Sequence, residues 1–289
     1  MTCLGQVACK PCVEDRAVTA RERARTARGL LANCHFCAHH CGVDRLAGER
    51  GLCHAGAESR WFSVQVEVAD ELEIIPTFAI ALGGCDLRCD FCITGASSWN
   101  AAAGDRFDVR AVAARAKQAL AAGARTVMLM GGEPTIHLPT ALELVAELPA
   151  SARLVWKTNA HGSAQARELL GGMFDVWVAD YKFGNDACAE RLAHISDYVR
   201  TVQENLLWAD RQGELIVRHL LMPGHIDCCW KPIAAWLAAV LPHVKLSLRP
   251  GFWPAWRADR HPELCRTPHA EDSAQASRLA QDLSLRLID

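Results

Sequence analysis

From residue 76 onward the chain alternates short, mostly apolar runs with longer stretches of helical period, and this rhythm restricts it to very few folds. The runs at 77–82, 126–130, 153–156, 176–179, 215–221 and 244–248 have strand length. Helix-period stretches lie at 109–121, 141–148, 164–170, 198–209 and 230–241, with a last one at 273–285. Strands apolar on both faces, interleaved with amphipathic helices, indicate a parallel sheet with helices on its outer face. About six such units suit an open barrel better than a closed eight-fold one. The fold class expected is α/β: a partial (open) barrel of about six βα units over residues 76–289, preceded by a cysteine-rich N-terminal extension over residues 1–75.

The extension has its own pattern. Residues 15–31 are rich in Ala and Arg and read as a short helix. Residues 61–73 alternate Phe62, Val64, Val66 and Val68 with polar residues, the period of a strand or hairpin.

In parallel α/β folds the working groups collect on loops beyond the carboxyl ends of the strands. Six loops at those positions carry chemistry. The first reads Cys85-Asp86-Leu87-Arg88-Cys89-Asp90-Phe91-Cys92 and the second Gly131-Gly132-Glu133-Pro134. Lys157-Thr158-Asn159, Asp180-Tyr181-Lys182, Met222-Pro223-Gly224-His225 and Arg249-Pro250-Gly251 follow.

Composition excludes several classes. Net charge is -2, so no basic nucleic-acid surface is expected. No apolar run reaches the ~20 residues of a membrane span, and residues 1–30 lack the apolar core of a secretory leader. A cytoplasmic protein is expected. In that compartment disulfides are disfavoured, so 14 cysteines point to metal or catalysis. Ten of them fall at or before Cys92, and none lies between Cys92 and Cys188.

Cys85, Cys89 and Cys92 place three thiolates within eight residues. Such a loop can wrap three corners of an iron–sulfur cubane and leave one iron open, or be a zinc loop awaiting a distant fourth ligand. Cys34, Cys37, Cys41 and Cys53 have the count of a closed four-thiolate site, for zinc or for a second iron–sulfur cluster. Zinc or another structural metal is slightly favoured there. Cys3, Cys9 and Cys12 form a looser group. Cys228 and Cys229 begin a helix at the functional end, so one of them is expected to face the cavity, where it could ligate metal or donate a hydrogen atom. His219 and His225 read more readily as structural histidines than as catalysts.

Cys-x3-Cys-x2-Cys after the first barrel strand, with Phe91 before its last cysteine, resembles the signature of the radical S-adenosylmethionine (SAM) superfamily. Gly131-Gly132-Glu133-Pro134 is similar to that family's motif for the methionine amino group, and the resemblance spans about residues 76–250. Several stretches also resemble relatives of pyruvate formate-lyase activating enzyme that carry an N-terminal cysteine motif. These are Cys34-His35-Phe36-Cys37, Cys41-Gly42-Val43, the run 48–53, Gly132-Glu133-Pro134-Thr135, Asp180-Tyr181-Lys182 and the run 218–225.

The resemblance implies a 4Fe-4S cluster on Cys85, Cys89 and Cys92, its open iron chelated by SAM. It implies that Gly131 and Gly132 admit the ligand to the backbone, that Glu133 beside Pro134 receives its ammonium, and that Lys182, next to Asp180, pairs with its carboxylate. Thr158 or Asn159 would reach the ribose, and His219 would belong to the same site. Reductive cleavage would yield a 5′-deoxyadenosyl radical that takes hydrogen from a small-molecule, peptide or protein substrate. Electrons would come from a donor such as flavodoxin or ferredoxin.

The chain departs from activating enzymes in having Lys157 where they commonly have an acidic residue, and in carrying its extra cysteines before the radical motif. Two other functions compete. One is an activase that installs a radical on a protein partner; the other is a non-catalytic iron–sulfur or zinc scaffold, against which the intact glycine-glycine-glutamate-proline motif argues. A closed pocket lined by Trp99, Trp253 and Trp256 would favour a small substrate; a wide cleft would favour a protein.

Overall fold

The structure is a computed structural model that describes residues 13–288. Cys3, Cys9 and Cys12 therefore lie outside the described residues. In chain order the elements are α1 (Val13–Leu30), β1 (Arg60–Glu67), β2 (Thr77–Leu82), α2 (Ala96–Trp99), β3 (Asp105–Arg106), α3 (Val109–Ala121), β4 (Thr126–Gly131), α4 (Leu138–Glu147), β5 (Leu154–Thr158), α5 (Ala164–Leu170), β6 (Val176–Asp180), α6 (Asp186–Ala193), α7 (Tyr198–Asp210), β7 (Glu214–Leu220), α8 (Lys231–Val240), β8 (Lys245–Arg249), α9 (Ala270–Asp282) and β9 (Arg286–Ile288).

One sheet holds all nine strands in the order β3-β1-β2-β4-β5-β6-β7-β8-β9. Every pair from β2 to β9 is parallel, while β1 runs antiparallel to β2 and to β3. The sheet is open, with β3 and β9 at its edges. This is the expected partial barrel with one parallel strand more. The last helix stops at Asp282, and the final residues pair with β8 instead.

Side-chain alternation divides each strand between two apolar layers. Phe78, Ile80, Val127, Leu129, Trp156, Trp177, Leu215, Val217 and Leu246 join the layer under the helices. Ala79, Met128, Val155, Val176, Val178 and Ile216 form a separate inner cluster with Ile74. Further along the same inward rows the residues turn polar: Lys157 on β5, Asp180 on β6, Arg218 on β7, and Ser247 and Arg249 on β8. The inner face is thus apolar at its base and charged toward the ends where the six loops emerge.

Helix starts follow local chemistry. Asp108 caps α3, Ser163 caps α5 and Asn185 caps α6, each accepting backbone N–H groups of the first turn.

Candidate functional site

The loop after β2 carries Cys85, Cys89 and Cys92, with Cys85 and Cys89 buried and Cys92 half-buried. It is held from several sides. The backbone N–H groups of Arg88 and Asp90 donate to Ala193 and Leu192 at the end of α6 (3.1 and 2.9 Å). Asp90 meets His261 Nε2 at 2.9 Å and His194 Nε2 at 3.3 Å, and its carbonyl accepts from Arg257 N–H at 2.8 Å. Phe91 packs between Phe183 and Phe252, each ring centroid 6.1 Å away. The Arg88 guanidinium donates to the carbonyls of Leu52 and Trp99.

Beneath Cys85 lies a buried polar knot. Asp86 accepts from Asn159 Nδ2 at 2.7 Å and meets His161 Nδ1 at 2.9 Å. Asn159 Nδ2 also lies 3.7 Å from Cys85 Sγ, and His39 Nε2 donates to the Asp86 carbonyl at 3.0 Å. Burial alone would raise the Asp86 carboxyl, but the His161 and Asn159 contacts outweigh it and hold the carboxyl low. Burial, and then the charges of Asp86 and Glu133, push the Cys85 thiol well up; burial pushes Cys89 up to about 12. A bare thiolate is disfavoured in such a place, whereas one bound to a cationic centre is not.

The glycine pair ends β4 against the cluster loop. A Cβ on Gly131, at φ +123°, would lie 2.2 Å from Leu82 N; one on Gly132 would lie 1.8 Å from Gly84 O. Gly132 N–H donates to Leu82 O at 2.8 Å and Glu133 N–H to Gly84 O at 2.9 Å. The demand for glycine comes from the chain's own backbone, which passes too close for any side chain.

Glu133 points inward. Oε1 accepts from Thr135 N–H (3.0 Å), Thr135 Oγ1 (2.6 Å) and Thr158 Oγ1 (2.7 Å), and Oε2 accepts from Asn159 N–H (2.7 Å). The carboxylate therefore ties the ends of β4 and β5 together. Pro134 opens the buried turn Pro134–His137, whose His137 Nε2 donates to Gly83 O at 2.6 Å.

Lys182 pairs with Asp180, and the Lys182 charge bears on Cys89. His219 stands apart. It lies in an outward row of β7, stacks on Trp230 at 5.1 Å and has Nδ1 2.8 Å from Tyr181 O. The structure thus brings together Cys85, Gly131, Gly132, Glu133, Pro134, Thr158 and Asn159, sets Asp180 and Lys182 beside Cys89, and turns His219 toward the helix layer.

The inner wall contains an unexpected group. Glu71, fully buried in the loop after β1, accepts from Arg249 Nη2 at 2.7 Å and Ser247 Oγ at 3.0 Å. It also pairs with Arg218 Nε at 2.8 Å and Lys157 Nζ at 3.9 Å, and its neighbour Asp70 pairs with Lys157. Burial would raise the Glu71 carboxyl, but the cationic Lys157, Arg218 and Arg249 around it hold it far below the usual range. The alternation at 61–73 hid this: β1 stops at Glu67, and the acidic pair belongs to the loop.

The N-terminal cysteines sit against the same loops. Cys34 bridges to Val43 and Cys37 to Gly162, and Ala38 N–H donates to His161 O at 3.0 Å. Arg45 donates to Ile136 O at 2.8 Å and lies 3.6 Å from Cys34 Sγ. Cys37 is raised first by burial and then by Asp86, and Asp86 also helps raise Cys53, so these two thiols neighbour the knot under Cys85. Trp99, Trp253 and Trp256 form no closed pocket: Trp253 is exposed, and Arg257 stacks on Trp99 at 4.2 Å and on Trp256 at 5.1 Å.

The profile of the radical SAM superfamily matches residues 80–237, a stretch that runs from β2 into α8 and includes the three-cysteine loop. The chain belongs to the radical SAM superfamily. Membership implies a 4Fe-4S cluster and SAM. An uncharacterized protein of Methanocaldococcus jannaschii is 29% identical over 276 residues, covering 92% of this chain and 79% of that one.

Among solved structures, SuiB of Streptococcus suis bound to the precursor peptide SuiA has a TM-score of 0.54 at 14% identity, over 70% of this chain and 46% of SuiB. A radical SAM methyltransferase from Sphaerobacter thermophilus has a TM-score of 0.53 at 16% identity, over 74% and 66%. This radical SAM chain spans less than half of SuiB and about two-thirds of the methyltransferase; these likenesses show a shared fold. Among the described residues, no helix is long and apolar enough to cross a membrane.

Proposed function

We propose that this protein is an enzyme that cleaves SAM reductively and uses the resulting radical to take a hydrogen atom from a substrate held against the inner face of the barrel. One observation carries the reading. The three-cysteine loop sits at the carboxyl end of β2, braced by α6 and the 250–266 segment, directly over a knot formed by the ends of β4 and β5.

The residues fit the group that the family implies. Cys85, Cys89 and Cys92 would hold three irons of a 4Fe-4S cluster. Buried thiols with raised affinity for protons gain from a cationic centre, and three ligands leave a fourth position open. When bound, the cluster supplies one electron to break a carbon–sulfur bond of SAM. The protein's part is to bind, orient and shield.

Glu133, satisfied by four internal donors, fixes where β4 and β5 end and so where backbone groups face the ligand; Thr158 and Asn159 act through it. Lys182 and Asp180 place a charged pair beside Cys89, positioned to meet the carboxylate or ammonium of SAM. Lys157, Arg218 and Arg249, clamped by Asp70 and Glu71, form the wall a substrate would meet. Peptide and small-molecule substrates both fit this reading, with a low-potential one-electron donor as partner. Cys34, Cys37, Cys41 and Cys53 would hold a second centre behind the knot.

The test is anaerobic reconstitution followed by dithionite reduction with SAM. Wild type should release 5′-deoxyadenosine; Cys85→Ala, Cys89→Ala and Cys92→Ala should each abolish release; Cys265→Ala, at an exposed thiol outside the motif, should leave it intact. Full cleavage in any of the first three variants would overturn the assignment.

A further inference from the structure

Beyond the radical-motif and N-terminal cysteines, four potential metal ligands converge at the ends of β6 and β7. We propose that Cys188, His225, Cys228 and Cys229 bind one zinc ion in a closed tetrahedral site. Their ligand atoms all lie within 4.8 Å of one another.

The individual distances match the ion. Zinc with Zn–S of about 2.3 Å and Zn–N of about 2.0 Å requires tetrahedral S···S separations of about 3.8 Å and S···N separations of about 3.6 Å. Cys188 Sγ lies 3.8 Å from Cys228 Sγ, and Cys228 Sγ lies 3.9 Å from Cys229 Sγ. His225 Nδ1 lies 3.7, 3.3 and 3.5 Å from the sulfurs of Cys188, Cys228 and Cys229. Ordinary packing of small thiols gives no reason for three sulfurs to surround one buried imidazole nitrogen at ligand spacing.

The surroundings are those of a bound metal. Asn185 Nδ2 donates toward Cys188 Sγ at 3.3 Å and to Cys228 O at 2.7 Å, while Asn185 Oδ1 accepts Cys188 N–H at 2.8 Å. One side chain thus caps α6 and orients a ligand. The outer nitrogen of His225, Nε2, lies 3.7 Å from Glu263 Oε1 and 3.4 Å from Arg191, which itself pairs with Glu263 at 2.5 Å. A ligating histidine commonly directs its free N–H to a carboxylate, and Glu263 is the carboxylate that Nε2 faces, beyond direct hydrogen-bond distance. A Cβ on Gly184 would lie 2.4 Å from Cys229 O, so glycine there lets the loop before α6 close onto the site. Cys228 and Cys229 occupy a single π-turn, Ile226–Trp230, at the start of α8; such turns gather at functional positions.

Placement gives the site its role. Cys188 is in the first turn of α6, and the last residues of that helix, Leu192 and Ala193, accept the backbone hydrogen bonds of Asp90 and Arg88. The ion would staple α6 to the β7–α8 connection and so fix one support of the three-cysteine loop. Its role is structural, since four protein ligands leave no open position.

The experiment is metal analysis of the full chain grown with zinc and purified anaerobically. It compares wild type, a variant in which Cys34, Cys37, Cys41 and Cys53 are all Ser, and the double variant Cys188→Ser/Cys228→Ser. The four-serine variant should keep one zinc per chain, with X-ray absorption showing three sulfur ligands and one nitrogen. The double variant should lose that zinc yet still accept the radical-motif cluster, judged by its visible absorption.

A measurement on wild type alone guards against misfolded variants: a chelator should lower the melting temperature, and added Zn²⁺ should restore it. Zinc retained undiminished in the double variant would overturn the proposal. So would a Cys188–Cys228 disulfide in the anaerobic protein, or wild type that takes up no zinc. The cluster readout is separate, so failure here leaves the proposed function standing.

Discussion

Asp86 Oδ2 lies 2.9 Å from His161 Nδ1, with both side chains buried directly under Cys85. The pair joins the loop after β2 to the loop after β5, and it keeps a negative charge beside the first cysteine of the radical motif. Asp86→Asn preserves shape and removes that charge. A unit charge about 4 Å away in a medium of effective dielectric about 20 is worth about 4 kcal/mol, on the order of 170 mV for one electron. The reduction potential of the proposed cluster should therefore rise, followed by redox titration with electron paramagnetic resonance. A variant that binds the cluster at an unchanged potential would show that Asp86 only supports the loop.

Two glycines make a matched pair of tests. Gly132→Ala would set a methyl group 1.8 Å from Gly84 O, backbone that β2 and β4 hold in place. It should cost several kcal/mol of stability and most cluster retention, since relief requires moving the strand ends. Gly29→Ala, in α1 with nothing within 4 Å of its Cβ, should be neutral or gain about 0.5–1 kcal/mol. Denaturant unfolding of both variants checks the contrast.

The sequence made the sheet legible because its signals were local. Strand runs at 77–82, 126–130 and 176–179 each reappear within one residue at either end, as does the helix at 109–121. What escaped was short or long-range. The eight residues of α6 offered little periodicity, although Asn185 ahead of Asp186 was a readable start. Glu71 could not be read as a hub because its partners Arg218, Ser247 and Arg249 come from strands far along the chain. The functional reading of Cys228 and Cys229 came without Cys188, which lies 40 residues earlier and joins them only through the β6–β7 neighbourhood. Glu133 was read from its motif as a ligand-binding residue, but its internal occupation depends on where β5 ends.

Glu71 offers a large effect with a clear sign. Glu71→Ala would leave Lys157, Arg218 and Arg249 facing one another, with Asp70 and Asp180 as the remaining anions nearby. Removing one partner from a buried ionic group typically costs about 3–5 kcal/mol. Glu71→Gln, which keeps the hydrogen bonds from Ser247 and Arg249, should cost less. Because the folded-state carboxyl is held low, its contribution is present at neutral pH and fades only as pH falls below about 4.5. Urea unfolding of both variants at neutral pH should rank them in that order; equal and small losses would mean the group contributes little to stability.

His219 governs a different window. Burial, set only partly against the hydrogen bond to Tyr181, pushes its imidazole from 6.5 down to about 4. The folded state thus holds a neutral ring where the unfolded chain would take up a proton. Stability from this group is complete above pH 6.5 and is lost as pH falls from 6.5 toward about 4. The loss is at most about 3 kcal/mol for a shift of this size. His137 is lowered to about 4 as well and adds to the acid limb, while Glu133, raised to about 7, opposes it. The total slope is therefore shared, and the informative quantity is a difference between proteins. His219→Phe keeps an aromatic ring against Trp230 and removes the titrating group. The unfolding free energy of wild type relative to that of the variant, measured from pH 7 down to pH 4.5, should fall as the pH falls. A constant gap across that range would mean that His219 is protonated equally in both states and that its buried stack carries no pH dependence.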